Sequence, residues 1–374
     1  MRLNMIPGQL LRHLSIALAL FILAFALVYT TRTMRISNPE AIVAPDFTEL
    51  LVYETMGLDE LTDLLGESGI LFDEQELRWA AGILGWRRFL PGRYTLEGPE
   101  AYDVLFRKLA MGLQTPKLLR VPAGVSKQAI KERIARQMKF EAAELEAAMQ
   151  APSFLDRHEL QAHQLYGRLL PDTYEVYWTT GPEQLLERLL SEFDARVTRP
   201  HAERMQELGL TVDEVTTLAS IIEWEARYDH EKPRISGLYW NRLNRRWRLQ
   251  ADPTVNYAKG ERGRLIFADY RIDHPYNTYR IFGLPPGPIN NPSWASLEAA
   301  MYPESHNYMF MVATPQGTHA FSRTYAEHQR KSREWTTWLR EQRQIRAQRE
   351  REEALLREKE QAGIPSESEN QTGG

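Results

Sequence analysis

The 374-residue chain contains no cysteine. Disulfides, thiolate zinc sites, iron–sulfur clusters and cysteine nucleophiles are therefore excluded, although a cysteine-free chain suits an oxidising or a reducing compartment equally. Net charge is also scarce. Forty-six basic side chains against 50 acidic ones leave −4, without the strongly basic domain that nucleic-acid binding normally requires, so no nucleic acid is expected as a partner. Gly-rich phosphate loops of the forms G-x-x-x-x-G-K-S/T and G-x-G-x-x-G are missing, as are a G-x-S-x-G elbow and an H-E-x-x-H pair. The nine histidines are scattered, and neither a metal nor a cofactor is expected. Apolar residues are not in short supply. At 43% hydrophobic and 26% charged, the chain falls among folded proteins.

Leu14 to Thr31 reads LSIALALFILAFALVYTT, eighteen residues without a formal charge. As a helix it spans about 27 Å, close to the roughly 30 Å hydrocarbon core of a bilayer. Tyr29-Thr30-Thr31-Arg32 offers no small-x-small cleavage site. An uncleaved single span is expected, with residues 1–36 as amino terminus and anchor. Arg2 and Arg12 flank one end, Arg32 and Arg35 the other, so charge alone does not set the orientation.

Beyond a two-proline linker (38–45), residues 47–54 and 93–96 read as strands, with helices over 58–65 and 74–84 between them. A helix over 101–111 and a strand over 117–121 follow, closed by the Pro122-Ala-Gly124 turn, with Ser126 as a cap for the next helix. The chain is then mostly helical to about 208, interrupted at Pro152 and at residues 170–174. Helices are expected over 211–226 and 232–245, a long loop over 246–292, and a hairpin pairing 308–313 with 318–322. From Thr324 a charged helix alternates Glu with Arg, which favours a solvated helix over an RNA-binding tract, and it fades into a polar tail after Ala362. The fold class is α+β.

Two constellations can carry chemistry. The helix over 211–226, opened by the Thr211/Glu214 capping box, places Leu218, Ile221 and Ile222 on one stripe. Glu225 falls on that stripe and Glu223 beside it, next to Ala219 and Ala226. A carboxyl walled by apolar surface keeps its proton, which suits a general acid. The other reading has both glutamates reaching water or pairing with Arg227 and Arg242. The second constellation is the loop carrying Gln250, Asp252 and Thr254, then Tyr276-Asn277-Thr278-Tyr279, then Gly283-Leu-Pro-Pro-Gly-Pro-Ile289. Amides, carboxylates and aromatic rings are the inventory that binds sugar hydroxyls and sugar faces.

Leu218-Ala-Ser-Ile-Ile-Glu-Trp-Glu225, Asn241-Arg-Leu, Arg248-Leu-Gln-Ala-Asp-Pro-Thr-Val255, Tyr276-Asn-Thr-Tyr279, Gly283–Ile289 and His319-Ala-Phe321 resemble, in order and spacing, the MltG (YceG-like) endolytic murein transglycosylases. The likeness extends upstream through Leu170-Pro-Asp-Thr-Tyr174, Val121-Pro-Ala-Gly124 and Pro91-Gly-Arg-Tyr94, over roughly residues 45–340. It implies a LysM-like βααβ module over 37–115, a mostly helical α+β catalytic domain over 116–345, and a charged tail over 346–374 without counterpart. It also implies a single-pass protein of the inner membrane, amino terminus cytoplasmic and catalytic part periplasmic. Glycan strands of peptidoglycan are the implied substrate and peptidoglycan synthases the implied partners. The implied reaction cuts the MurNAc–GlcNAc β-1,4 bond of nascent strands, leaves a 1,6-anhydro-MurNAc end and terminates elongation. Glu223 takes the catalytic position, with Glu225, Gln250, Asp252, Thr254, Tyr276, Asn277, Thr278 and Tyr279 as substrate-binding residues. Trp224 departs from the charged or polar residue of many relatives, and Ala226 and Ala251 from a frequent Thr. A peptidoglycan hydrolase, or a non-enzymatic cell-wall scaffold tethered to the membrane, remains an alternative.

Overall fold

The computed structural model describes residues 8–45 and 47–361. The chain forms two compact units: one takes in residues up to 120 with 131–148 and 173–185, the other 121–130, 149–172 and the residues from 186 onward.

Helix α1 (Gly8–Ile36) opens the first unit, and its segment Leu10–Ile36 is long and apolar enough to cross a membrane, with an 18-residue stretch of mean hydropathy 2.3. There follow β1 (Ile42–Val43), β2 (Thr48–Val52), α2 (Leu58–Glu67), β3 (Leu71–Phe72), α3 (Glu74–Leu84), β4 (Gly92–Leu96), α4 (Tyr102–Ala110) and β5 (Lys117–Val121). β2 and β4 pair antiparallel with Leu50 opposite Tyr94, so the expected strand-helix-helix-strand order is present. Asp73 caps α3 by accepting from the Glu76 amide, and Gly85 ends that helix in the left-handed region. The β1–β3 ribbon was not expected, because two-residue strands leave no alternation to read. Ile36 is only 8% exposed and belongs to this unit's apolar core with Leu61, Leu77 and Phe106. Arg35 pairs with Glu76 at 2.5 Å and lies 4.0 Å over the Trp79 ring. The anchor boundary drawn after residue 36 therefore cuts packed structure.

Next come α5 (Lys127–Ala135), α6 (Ala142–Gln150), α7 (Pro152–Arg157), α8 (Ala162–Leu165) and β6 (Asp172–Val176). β6 pairs with β5, a strand where the sequence suggests only an interruption. The remainder is α9 (Pro182–Phe193), α10 (Ala202–Leu208), α11 (Val212–Glu225), α12 (Lys232–Asn244), α13 (Asp252–Lys259), α14 (Trp294–Met301), the antiparallel pair β7 (Phe310–Ala313) and β8 (His319–Ser322), and α15 (Tyr325–Gln361). α13 lies within the stretch expected to be loop. Pro253 sits in its first turn and Gly260 closes it at φ 85, so the residues that suggested a loop bound a helix instead.

The second unit is built around α11. Thr211 accepts from the Glu214 amide at 3.2 Å, the expected cap, and every residue from Val215 to Ile222 is buried. Leu218, Ile221 and Ile222 pack with Ile235 and Leu238 of α12 and with Leu297 and Met301 of α14. The buried Thr216, Thr217 and Ser220 hydroxyls bond carbonyls of α11 itself, which leaves no donor stranded.

Two outcomes follow from burial. A chain starting at residue 38 should be less stable than one starting at 34 by about 1.5–3 kcal/mol, the worth of one buried aliphatic side chain with its neighbours; equal denaturation midpoints would refute it. Removing residues 346–374 should leave the melting temperature nearly unchanged, since side chains 341–354 of α15 are exposed.

Candidate active site

Glu223 and Glu225 leave the last turn of α11 into opposite surroundings. The Glu223 side chain is 13% exposed, and its Oε2 accepts from Lys232 Nζ at 3.0 Å, Ser293 Oγ at 2.6 Å, Ser296 Oγ at 2.5 Å and the Ser293 amide at 3.2 Å. Lys232 begins α12 and Ser293 precedes α14, so the carboxylate sits at the positive ends of two helices. Burial pushes the Glu223 carboxyl up, but the two serine hydroxyls and the Lys232 ammonium outweigh it and hold the group below the usual carboxylate value. Gly124 makes this approach possible. It lies at φ +62, and a Cβ there would fall 3.2 Å from Glu223 Cγ.

Among the described residues, Glu225 has no such donors. Burial, reinforced by the negative charge of Asp252 and only partly offset by Arg242, pushes its carboxyl up to about 8. The side chain is partly covered, so the carboxyl is crowded by protein yet not sealed. Behind it, the buried Arg242 donates to the carbonyls of Met309 and Leu249. The Tyr239 hydroxyl is buried without a hydrogen-bond partner among the described residues, and burial and the charge of Glu225 keep it protonated.

Opposite stands Asp252, exposed at the first position of α13. Tyr279 donates to its Oδ1 at 2.7 Å and Tyr270 to its Oδ2 at 3.3 Å, the two rings meeting edge-on at 4.7 Å. Gln250 is exposed at φ 50 just before it, and its amide donates to the Thr278 carbonyl at 3.2 Å. The Gly283–Ile289 loop is anchored from its far end. The Ile289 amide donates to Ser220 Oγ at 3.0 Å, Asn290 Nδ2 to the Ser220 carbonyl at 2.6 Å, and Asn291 Nδ2 to the Pro122 carbonyl at 2.7 Å.

Residues 50–334 match the YceG-like family. This chain belongs to that family. The YceG-like chain is 28% identical over 285 residues to the endolytic murein transglycosylase of Bacillus subtilis (strain 168), a match covering 72% of this chain and 79% of the relative. It is 32% identical over 175 residues to the endolytic murein transglycosylase of Streptococcus pneumoniae serotype 2, covering 45% of this chain and 32% of that one. Its fold is similar to the crystal structure of a YceG-like protein from Listeria monocytogenes at a TM-score of 0.53 and 27% identity, covering 77% of this chain and 99% of the other.

In this YceG-like chain, Glu225, Gln250, Asp252 and Tyr279 reach the surface together. Thr254, Asn277 and Thr278 do not, since all three are fully buried. Thr254 Oγ1 and Thr278 Oγ1 share a hydrogen bond at 2.8 Å, while Asn277 Nδ2 donates to the Tyr270 and Ile272 carbonyls at 3.2 and 2.8 Å. All three brace the loop from within. Tyr276 is nearly buried, its ring 4.6 Å from that of Tyr257. Lys232, Ser293, Ser296 and Tyr270 were missed; the serines lie some seventy residues from Glu223, Lys232 and Tyr270 sit on separate elements from the acids they serve, and no local pattern links them.

The proton on Glu225 has a thermodynamic signature. A carboxyl raised from 4.5 to about 8 holds its proton more tightly in the folded chain, so its contribution to stability is full below pH 4.5 and is lost as pH rises through 8. Melting temperature should decline over that window, and Glu225→Gln should lose that part of the decline. A slope unaltered by the substitution would count against the raised value.

Proposed function

We propose that the chain is an endolytic lytic transglycosylase cutting the MurNAc–GlcNAc β-1,4 bond within peptidoglycan glycan strands, with Glu225 as the acid. The observation that carries this reading is the placement of a crowded Glu225, outside the donor set that holds Glu223, near an exposed, tyrosine-braced Asp252. The names of the B. subtilis and S. pneumoniae relatives support the reaction class. The roles drawn from the resemblance are thereby exchanged. Glu223 already holds four donors as a carboxylate and has no proton to give at neutral pH.

Glu225 donates its proton to the glycosidic oxygen as the bond to C1 of MurNAc breaks, and the GlcNAc side departs as an alcohol. Positive charge develops on C1 and the ring oxygen, and the Asp252 carboxylate stabilises it without forming a bond. The Glu225 carboxylate then takes the proton of the C6 hydroxyl of the same sugar, and O6 closes on C1 to give the 1,6-anhydro end. Glu225 is protonated again, and no water is consumed. A conventional hydrolase is the second reading, favoured by the same two carboxyl groups, since glycosidases commonly work with an acidic pair.

The strand-helix-helix-strand module resembles LysM in its element order, and we read it as a glycan-facing part. We read α1 as a single-pass anchor of the inner membrane, amino terminus cytoplasmic, placing the site on the periplasmic side where nascent strands and their synthases meet.

Mass spectrometry of digested glycan strands tests both readings. Anhydro ends are expected, whereas reducing ends that have gained water would establish the hydrolase. Glu225→Gln should lose about 10²–10⁴-fold or more in turnover while staying folded. Glu223→Gln should instead lose stability, by about 1.5–3 kcal/mol, by weakening the charged hydrogen bonds to Ser293, Ser296 and Lys232, although Lys232 keeps Asp229 at 2.8 Å as a counter-charge; a stable Glu223→Gln protein without turnover beside an active Glu225→Gln protein would reverse the assignment. The alkaline limb of the rate should fall near pH 8 and move lower in Asp252→Asn, because removing that charge lets Glu225 ionise more easily.

A further inference from the structure

A cleft of about 460 Å³, within the range of small-ligand sites, lies beside Trp224 in the last turn of α11. The turn at Gly124 and the start of α5 line one wall, Asn256, Tyr257 and the Gly260–Arg262 bend line the other, and Trp224 is shared by both. α13 connects the cleft to the reaction centre, since Asp252 opens that helix and Asn256 follows one turn later. Trp224 stands between Glu223 and Glu225 in the chain, and Gly124 of the cleft lies against Glu223.

Trp224 is fixed. Its indole N–H donates to the Gly124 carbonyl at 2.7 Å, and it packs against the apolar core of the second unit. The Arg262 guanidinium lies 4.4 Å from the ring centroid, is exposed, and forms no ion pair among the described residues. Stacking occupies the face of the guanidinium and leaves its edge donors available, the geometry that takes a carboxylate through two parallel hydrogen bonds. The first turn of α5 also lines the cleft, where Ser126 Oγ accepts from the Ala129 amide at 3.3 Å. Glu261 is the acid lining the cleft, and Lys259 pairs with it at 3.0 Å. The cleft therefore combines a flat apolar platform with the exposed guanidinium of Arg262.

We propose that this cleft seats a carboxylate carried on the sugar next to the scissile bond, held edge-on by Arg262 while the group's apolar part lies against Trp224. The inference rests on the glycan-cleaving reading and deepens it. Two sources supply the same chemistry: the lactyl ether of a muramyl sugar stripped of its peptide, and the peptide attached in an intact strand.

The full chain is assayed in detergent on four glycan substrates: strands with peptides and strands stripped of peptides, each with its carboxylates free and with them converted to methylamides. The wild type should favour carboxylate strands over methylamide strands by about ten- to a hundredfold in kcat/KM, mainly through KM, as expected for a charge-assisted pair. In Arg262→Ala that ratio should collapse towards one, and Arg262→Lys should restore part of it. Collapse on stripped strands assigns the lactyl carboxylate; collapse only on peptide-bearing strands assigns the peptide. A ratio unchanged by Arg262→Ala overturns the proposal. If the wild type cleaves none of the substrates, the transglycosylase reading fails. Equilibrium binding of the same strands to the Glu225→Gln protein, with and without Arg262→Ala, then decides the carboxylate site by the same ratio.

Discussion

A carboxylate withdrawn from water needs donors on every side, and the end of α11 is organised by that demand. Glu223 obtains its donors from Lys232 at the start of α12 and from Ser293 and Ser296 at the start of α14. The three helices that form the core of the second unit are therefore tied at one atom, Oε2, as well as by packing of Ile222, Leu238 and Leu297. Apolar contacts alone tolerate sliding, whereas a hydrogen-bonded charge fixes register and direction. That fixed end sets the direction in which Trp224 and Glu225 leave the helix.

Environment separates the two glutamates more than sequence does. Two residues apart on one helix, one carboxyl is flooded with donors and ionised, while the other is crowded, faces another acid and keeps its proton. Asp252 contributes in two ways. Its charge raises Glu225, and its own oxygens are held in place by Tyr270 and Tyr279.

Much of the scaffold was legible in the sequence. The Thr211/Glu214 cap, the apolar stripe of α11, the β7–β8 hairpin and the β2–β4 frame are local patterns, and local patterns survive folding. α13 was hidden because Pro253 and Gly260 signal a loop and a helix boundary alike. β6 was hidden because its partner β5 lies some fifty residues away. The site was half legible. Helical spacing placed Glu225 on the apolar stripe, which is where the raised proton affinity is found. The donors that ionise Glu223 come from distant segments that no helical wheel displays. Thr254, Asn277 and Thr278 are polar in type but turned inward, and residue type alone does not say which way a side chain faces.

The junction between α1 and the first unit bears on how the chain moves. Thr30, Thr31 and Thr33 turn their hydroxyls back onto the carbonyls of Ala26, Leu27 and Tyr29, so the helix continues intact past its apolar stretch. Arg35 and Ile36 are then gripped by Glu76, Trp79 and the apolar core. There is no swivel between the two. In a bilayer, spinning the helix about its axis would turn the module by the same angle, and tilting the helix would tip the module with it. The first unit would then ride on its anchor as a key head on its shaft, presenting a constant height and a constant face to whatever passes along the membrane surface.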